Sequence, residues 1–309
     1  MPRTILITGG NGNLGRLAAA LLEQGGDRIV SFDLPGTAPA PARHASVAGD
    51  IRDTALLARM LDAHRPDAVL HLASLLSGSS EADPLRAWEV NATASVALMQ
   101  LACDRVPGPF VFASTFATYG PGLPDPLPPD APQWPQNVYG ATKVAVERMG
   151  VYFAQKRGLD FRCLRFPQVL SPFAPPGAVT AYPGHAFRAA AEGRAFTFPV
   201  APETGASNLY LDDVISSLAA ILSADRARLR QPAYNLHGYT VTAGDIAATL
   251  ARLIPGFTAD FAPDPVTDAL IRGWPDRMDS TAAQDDWDWA PAFDFPRAAQ
   301  AMLHRLRNT

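Results

Sequence analysis

The first two dozen residues constrain this chain more than any other stretch. Residues 4–8 (TILIT) form a short apolar run of strand type, GGNGNLG follows at once, and RLAAALLEQ then repeats apolar residues at helical spacing. Strand, glycine turn and helix in that order are the setting in which GxxGxxG spacing holds a dinucleotide. Gly9 would permit the tight turn, Gly12 would let the backbone approach a pyrophosphate, and Gly15 would let the helix lie close to the strand. Asn13 and Leu14 open the helix, where free N–H groups and the helix dipole favour phosphate charge.

The segments that follow extend this pattern. RIVSFDL reads as a second strand ending in Asp33, a carboxylate placed to accept hydrogen bonds from ribose hydroxyls and to repel a 2′-phosphate, which favours NAD over NADP. ASVAGDI is a third strand, with Asp50 and Ile51 at its end suited to the adenine edge. After the helical TALLARMLDAH comes DAVLHLAS, whose Leu72, Ala73 and Ser74 would border the cofactor. Strands alternating with helices this regularly imply an α/β fold with a doubly wound, Rossmann-type parallel sheet. Ligands of such sheets collect at the carboxyl ends of the strands.

A second constellation carries chemistry. In YGATKVAVERMGVYFAQ, Tyr139 and Lys143 stand four apart on a helical pattern, so both side chains leave one helix face in neighbouring turns. The chain has only two lysines, Lys143 and Lys156, among 26 basic residues, so a lysine here is no casual surface charge. A tyrosine titrates near ~10, and bringing it to neutrality needs roughly 4 kcal/mol of differential stabilisation, which a nearby ammonium and a cationic nicotinamide are expected to supply. VFASTFATYG ends an apolar strand-like run in Ser114 and Thr115, hydroxyls fit to orient the reacting oxygen.

Composition excludes several other classes. A net charge of -4 with interspersed signs and no basic block argues against nucleic acid. No apolar run of membrane-spanning length and no leader-like segment is read, so no membrane partner is expected. The two cysteines, Cys103 and Cys163, lie in apolar surroundings, which suits a reducing, cytoplasmic setting. His71, His185 and His237 lack metal-ligand spacing.

The order TGGxGxLG, Asp33, GDI, HLAS, STxxTYG and YGxxK resembles the extended short-chain dehydrogenase/reductase family, its epimerase/dehydratase group, over essentially the whole chain. The resemblance implies Thr115, Tyr139 and Lys143 as the catalytic set, with Tyr139, Lys143 and Pro167 also against the cofactor and Asn91 as a structural and proton-relay neighbour. It further implies a homodimer joined by a four-helix bundle from the helices around 85–103 and 140–157. Sugar-nucleotide dehydratases of this family carry an Asp-Glu pair where this chain has Phe116 and Ala117, so dehydration is not expected. The short C-terminal part and the apolar SPFAPPGAVTAYPGHAF speak for a small-molecule substrate over a nucleotide-sugar 4-epimerase reaction.

Within the family, HLASLLSG, the tail YNLHGYTVTAGDIAATLARLIPGFTADFAPD, GWPDRMD and DDWDW resemble the short-chain threonine dehydrogenase group. That resemblance implies Ser77, Thr115, Thr180, Tyr182 and Trp274 around the substrate, and Gln168, where the group's RYPG motif is Arg165-Phe166-Pro167-Gln168, adds an amide suited to hydroxyls. Val179 and Ala181 replace polar loop residues of that group, and SGSSEAD and PLPDPLPPD resemble dehydrogenases of four-carbon sugar acids such as D-erythronate. The expected reaction is NAD-dependent oxidation of the 3-hydroxyl of a small polar substrate. A non-enzymatic cofactor sensor is the least favoured reading, since both Tyr139 and Lys143 are present. The expected organisation is a cofactor domain over 1–165, rejoined by about 208–225, with 166–207 and 226–309 forming a small substrate lobe. Trp287 and Trp289 are expected to anchor the tail.

Overall fold

The computed structural model describes residues 2–36, 45–174 and 181–308. Its strands run β1 (Thr4–Thr8), β2 (Arg28–Asp33), β3 (Ala45–Ala48), β4 (Ala68–His71), β5 (Pro109–Thr115), β6 (Asp160–Phe166), β7 (Gln168–Leu170), β8 (Phe196–Phe198), β9 (Gly205–Tyr210), β10 (Ala233–Asn235), β11 (Tyr239–Thr242) and β12 (Ala259–Phe261). The helices of the first half are α1 (Asn13–Gln24), α2 (Thr54–His64), α3 (Ser77–Ala82), α4 (Pro84–Ala87), α5 (Ala94–Cys103) and α6 (Val138–Arg157). Those of the second half are α7 (Tyr182–Ala191), α8 (Leu211–Ser223), α9 (Ala243–Leu253), α10 (Pro265–Arg272), α11 (Thr281–Trp287) and α12 (Phe295–Arg307).

Seven strands form one parallel sheet in the order β10-β6-β5-β4-β1-β2-β3. Successive side chains of a strand point to opposite faces, and both faces here are covered by helices. Ile5 and Ile7 of β1 therefore enter the core shared with α1 and α8, whereas Leu6 enters the core shared with α2 and α5. The strand order reverses between β1 and β4, so the glycine turn after β1 opens at the crevice where such sheets take ligands.

The C-terminal lobe has its own core, in which Tyr182, Phe187, Phe198, Tyr210, Tyr239, Trp274 and Met302 are buried. Two small sheets support it, β11-β9-β7 and β12-β8. The partition of the chain is more interleaved than the sequence reading has it. The rejoining segment is the helix α8, packed beside α1, and the seventh strand β10 comes from within 226–309. Trp287 and Trp289 stack at 5.6 Å in the sheet-side core, with Trp287 edge-on to Tyr234 of β10. The expected helix around 85–103 is likewise divided, since α4 and α5 are joined by a π turn at Trp88–Thr93.

Candidate active site

The glycine turn is built for close approach. Gly9 has φ +70, and a Cβ on it would lie 2.8 Å from the Ala73 amide nitrogen. A Cβ on Gly15 would meet the Gly9 carbonyl oxygen at 2.3 Å, so only glycine lets α1 start against the turn. A Cβ on Gly12 meets only the Gly9 oxygen, at 3.1 Å, and no side chain caps α1. The first-turn N–H groups are thus presented to an incoming anion. Asp33, at the end of β2, accepts the backbone N–H groups of Asn11 (2.9 Å) and Leu34 (2.8 Å), which ties its carboxylate to the turn. Backbone cradle, uncapped helix start and neighbouring carboxylate suit a dinucleotide with free ribose hydroxyls.

The turn forms one end of a cavity of about 380 Å³. Gly9, Gly12, Asn13, Leu14 and Gly15 line it from the turn, Leu72, Ser74 and Ser77 from the segment after β4, and Ser114 and Thr115 from the end of β5. Tyr139, Lys143, Pro167 and Trp274 complete the sequence-derived set on its wall.

Other sequence-derived residues stand off the wall, each for a visible reason. The Asp50 carboxylate is engaged by Arg52 at 2.7 Å, and Ile51 is packed in the core under β2. Ala73 backs the glycine turn. Asn91, on the π turn, pairs with both backbone groups of Leu75, accepting its N–H at 2.7 Å and donating to its carbonyl at 3.0 Å. It thereby holds the wall segment rather than forming the wall. Gln168 is buried against the Tyr182 hydroxyl, and the Tyr182 ring packs edge-on to Phe198 in the lobe core. Neither lines the cavity: Tyr182, the first residue of α7, packs in the lobe core, and Gln168 is buried on β7. Thr180 lies outside the described residues.

Helix α6 sets the Tyr139–Lys143 pair. Asn137 caps it by accepting the Gly140 N–H at 2.7 Å, so Tyr139 enters on the first turn. The Lys143 ammonium lies 5.4 Å from the Tyr139 ring centre and 4.7 Å from that of Phe112, and it donates a hydrogen bond to the Ala113 carbonyl at 2.9 Å. Burial pushes the Tyr139 phenol up to about 12 and the Lys143 ammonium down to about 8. Between these side chains alone burial prevails, and the expected stabilisation of the phenolate rests on a cationic nicotinamide as well as on Lys143. Burial disfavours both charged forms.

Two buried networks support the wall. Ser114 donates to Glu147 at 2.5 Å, while Glu147 is clasped by Arg165 through Nη2 at 2.7 Å and by Gln133 at 3.0 Å. Behind β4, Ser95 donates its single hydroxyl proton to the Asn91 carbonyl, so it must accept from His71 Nε2 at 2.7 Å. His71 Nδ1 then accepts from Thr8 at 2.6 Å. Burial, with the Lys143 charge adding to it, pushes the His71 imidazole down to about 3, and the ring is neutral.

Sequence reasoning did not assign much of the apolar wall: Leu76, Ala113, Phe116, Ala117, Phe166, Val169, Phe173, Ala174, Ala181 and Val214, with Ser171 among them. Adjacency to Thr115 could have pointed to Phe116, whose ring lies 4.7 Å from that of Trp274. Nothing local marks Val214, which reaches the cavity only because α8 packs under it. Trp274 is 5% exposed, and its indole N–H has no acceptor among the described residues. Among the same residues no group of three or more His, Cys, Asp or Glu could hold a metal ion, and no helix is long and apolar enough to cross a membrane.

A family model described as NAD dependent epimerase/dehydratase matches residues 5–236. The mitochondrial L-threonine 3-dehydrogenase of Bos taurus is 31% identical, over 97% of this chain and 82% of its own length. Among solved structures, the holo form of a GalE-like L-threonine dehydrogenase from Cupriavidus necator is similar at TM-score 0.92 and 30% identity, covering 98% of this chain and 99% of that one. A monomeric L-threonine 3-dehydrogenase from a metagenome, in its apo form, is similar at TM-score 0.90 and 27% identity, with coverage of 98% and 99%.

Proposed function

The chain belongs to the NAD-dependent epimerase/dehydratase family, and from that premise we propose that it oxidises the 3-hydroxyl of a small polar hydroxy acid, the type of reaction for which its L-threonine 3-dehydrogenase relatives are named. One observation carries this reading: Thr115, Tyr139 and Lys143 line the same cavity as the glycine turn. Bound NAD⁺ supplies a hydride acceptor and a positive charge. The residues proposed to hold it are those of the turn from Gly9 to Gly15, Asp33 for the ribose, and Lys143. Tyr139 takes the hydroxyl proton, Thr115 orients that oxygen, and the apolar wall excludes water. With its phenol pushed up to about 12, Tyr139 holds its own proton at neutral pH until added positive charge favours the phenolate.

The charge content of the cavity wall weighs against a nucleotide sugar. Lys143 is the only charged side chain on the described wall, which leaves no arginine to meet a diphosphate. Oxidation of a four-carbon sugar acid is the second reading, supported by the hydroxyls of Ser77 and Thr115 on that wall. We further propose a homodimer through the faces of α4, α5, α6 and the π turn joining α4 to α5, where Leu85, Trp88 and Tyr152 are exposed. A cytoplasmic location is in keeping with the free thiols Cys103 and Cys163.

The test is NADH formation with L-threonine, L-serine, 3-hydroxybutyrate and D-erythronate, with a UDP-sugar as the contrasting substrate. Turnover of at least one hydroxy acid is expected; conversion of the sugar nucleotide alone would overturn the reading.

A further inference from the structure

Among mostly apolar side chains, the described cavity wall carries the hydroxyls of Ser77, Thr115 and Tyr139, the Lys143 ammonium and the Trp274 indole, and no acidic side chain. Among the described residues that line it there is neither an aspartate nor a glutamate, and Lys143 is the one cation. The buried carboxylate behind the wall, Glu147, is already taken up by Arg165, Gln133 and Ser114. Toward the cavity, the Trp274 indole N–H is buried without an acceptor, and an indole can only donate. Thr115 accepts the Ala117 N–H at 3.2 Å, which leaves its hydroxyl proton to donate.

Resting on the dehydrogenase reading above, we infer that the preferred substrate is a small hydroxy carboxylate bearing hydrogen or hydroxyl, not ammonium, on the carbon next to the reacting carbinol. The donors suit a carboxylate and neutral hydroxyls. An ammonium beside the reacting carbon sits close to Tyr139 and the Lys143 charge, with only hydroxyl and carbonyl oxygens for partners. Burying a charge without a countercharge is unfavourable, and a second cation nearby adds to the penalty. A hydroxyl in its place donates and accepts in the same volume at no such penalty. The reaction balances as the loss of the carbinol hydrogen with two electrons to NAD⁺ as hydride, and of the hydroxyl proton to Tyr139 and then to solvent. The products are a keto acid, NADH and a proton.

A matched pair tests this: L-threonine and the 2,3-dihydroxybutanoate isomer that carries a hydroxyl where threonine carries its amino group. Steady-state NADH formation should give the dihydroxy acid a kcat/KM at least tenfold above that of L-threonine. Calorimetric titration of both acids into the NAD⁺ complex of Tyr139→Phe, whose slowed turnover lets binding be read ahead of chemistry, should rank them the same way. Equal or tighter binding of L-threonine in that titration, or a higher kcat/KM for it, overturns the inference. If neither acid is oxidised yet the dihydroxy acid binds at least tenfold more tightly, the inference on the cavity holds and the dehydrogenase reading falls.

Discussion

The proposed roles of Tyr139, Lys143 and Asp33 each have a measurable signature. Tyr139→Phe removes the proton acceptor and little shape, so turnover should fall by roughly 10² or more while NAD affinity stays nearly unchanged. Kinetics on a verified substrate beside an NAD titration checks this, and a variant with near-native turnover disproves the role. Lys143 has a folded pKa of about 8, below the ordinary value of 10.5. Between those values the unfolded chain holds the proton that the folded chain has released. The penalty of the buried ammonium is therefore fully present below about pH 8 and relieved as pH rises toward 10.5, up to about 3 kcal/mol. Wild type should accordingly gain stability relative to Lys143→Met between pH 7.5 and 10, read from denaturation midpoints; a constant difference contradicts the burial argument. Asp33, hooked to the turn, predicts NAD binding at least tenfold tighter than NADP, about 1.4 kcal/mol. Equal affinities in paired titrations would remove it from the ribose site.

At the scale of elements, α6 does two jobs one turn apart. Lys143 reaches the Ala113 carbonyl and Glu147 reaches the Ser114 hydroxyl, so consecutive residues at the end of β5 are both held by one helix. Arg165 of β6 closes the assembly from the neighbouring strand, with 4% exposure against 2% for Glu147. Removing one member of a buried pair strands the other charge, so Glu147→Ala should cost about 3–5 kcal/mol in chemical denaturation, far above the effect of a surface ion pair. A loss under about 1 kcal/mol would show that water already reaches Arg165. The π turn acts on the opposite side of the site. Its Asn91 takes the place of a strand partner for Leu75, and through Thr142 it reaches the turn of α6 that carries Tyr139.

For the whole molecule, the sheet supplies the crevice, and Trp274 of the lobe meets Phe116, just after β5, on its wall. The outer face of the helical layer leaves Leu85 80% and Trp88 47% exposed, three residues apart on one side of the chain. If that face joins two copies, sedimentation of the wild type should report a dimer and Trp88→Glu a monomer with its NAD affinity retained. A monomeric wild type across micromolar concentrations rejects the proposed dimer.

What the sequence alone determined is local in origin. The GxxGxxG turn, the carboxylate ending the second strand and the four-residue spacing of Tyr139 and Lys143 follow from backbone freedom, strand ends and helical geometry within a few residues. The parallel sheet follows from the order of such elements. Tertiary packing decided the rest. Whether Tyr182 meets substrate or core depends on how α7 lies on Phe198, and whether 226–309 stays in the lobe depends on β10 pairing with β6. Val214 and Phe173 reach the cavity from segments with no motif of their own. Charge behaviour belongs to the same class. The sequence places a lysine beside a tyrosine, but it does not show that the ammonium donates to the Ala113 carbonyl or that burial shifts both groups toward neutrality. Desolvation is a property of everything packed around a group, and no short stretch of chain contains it.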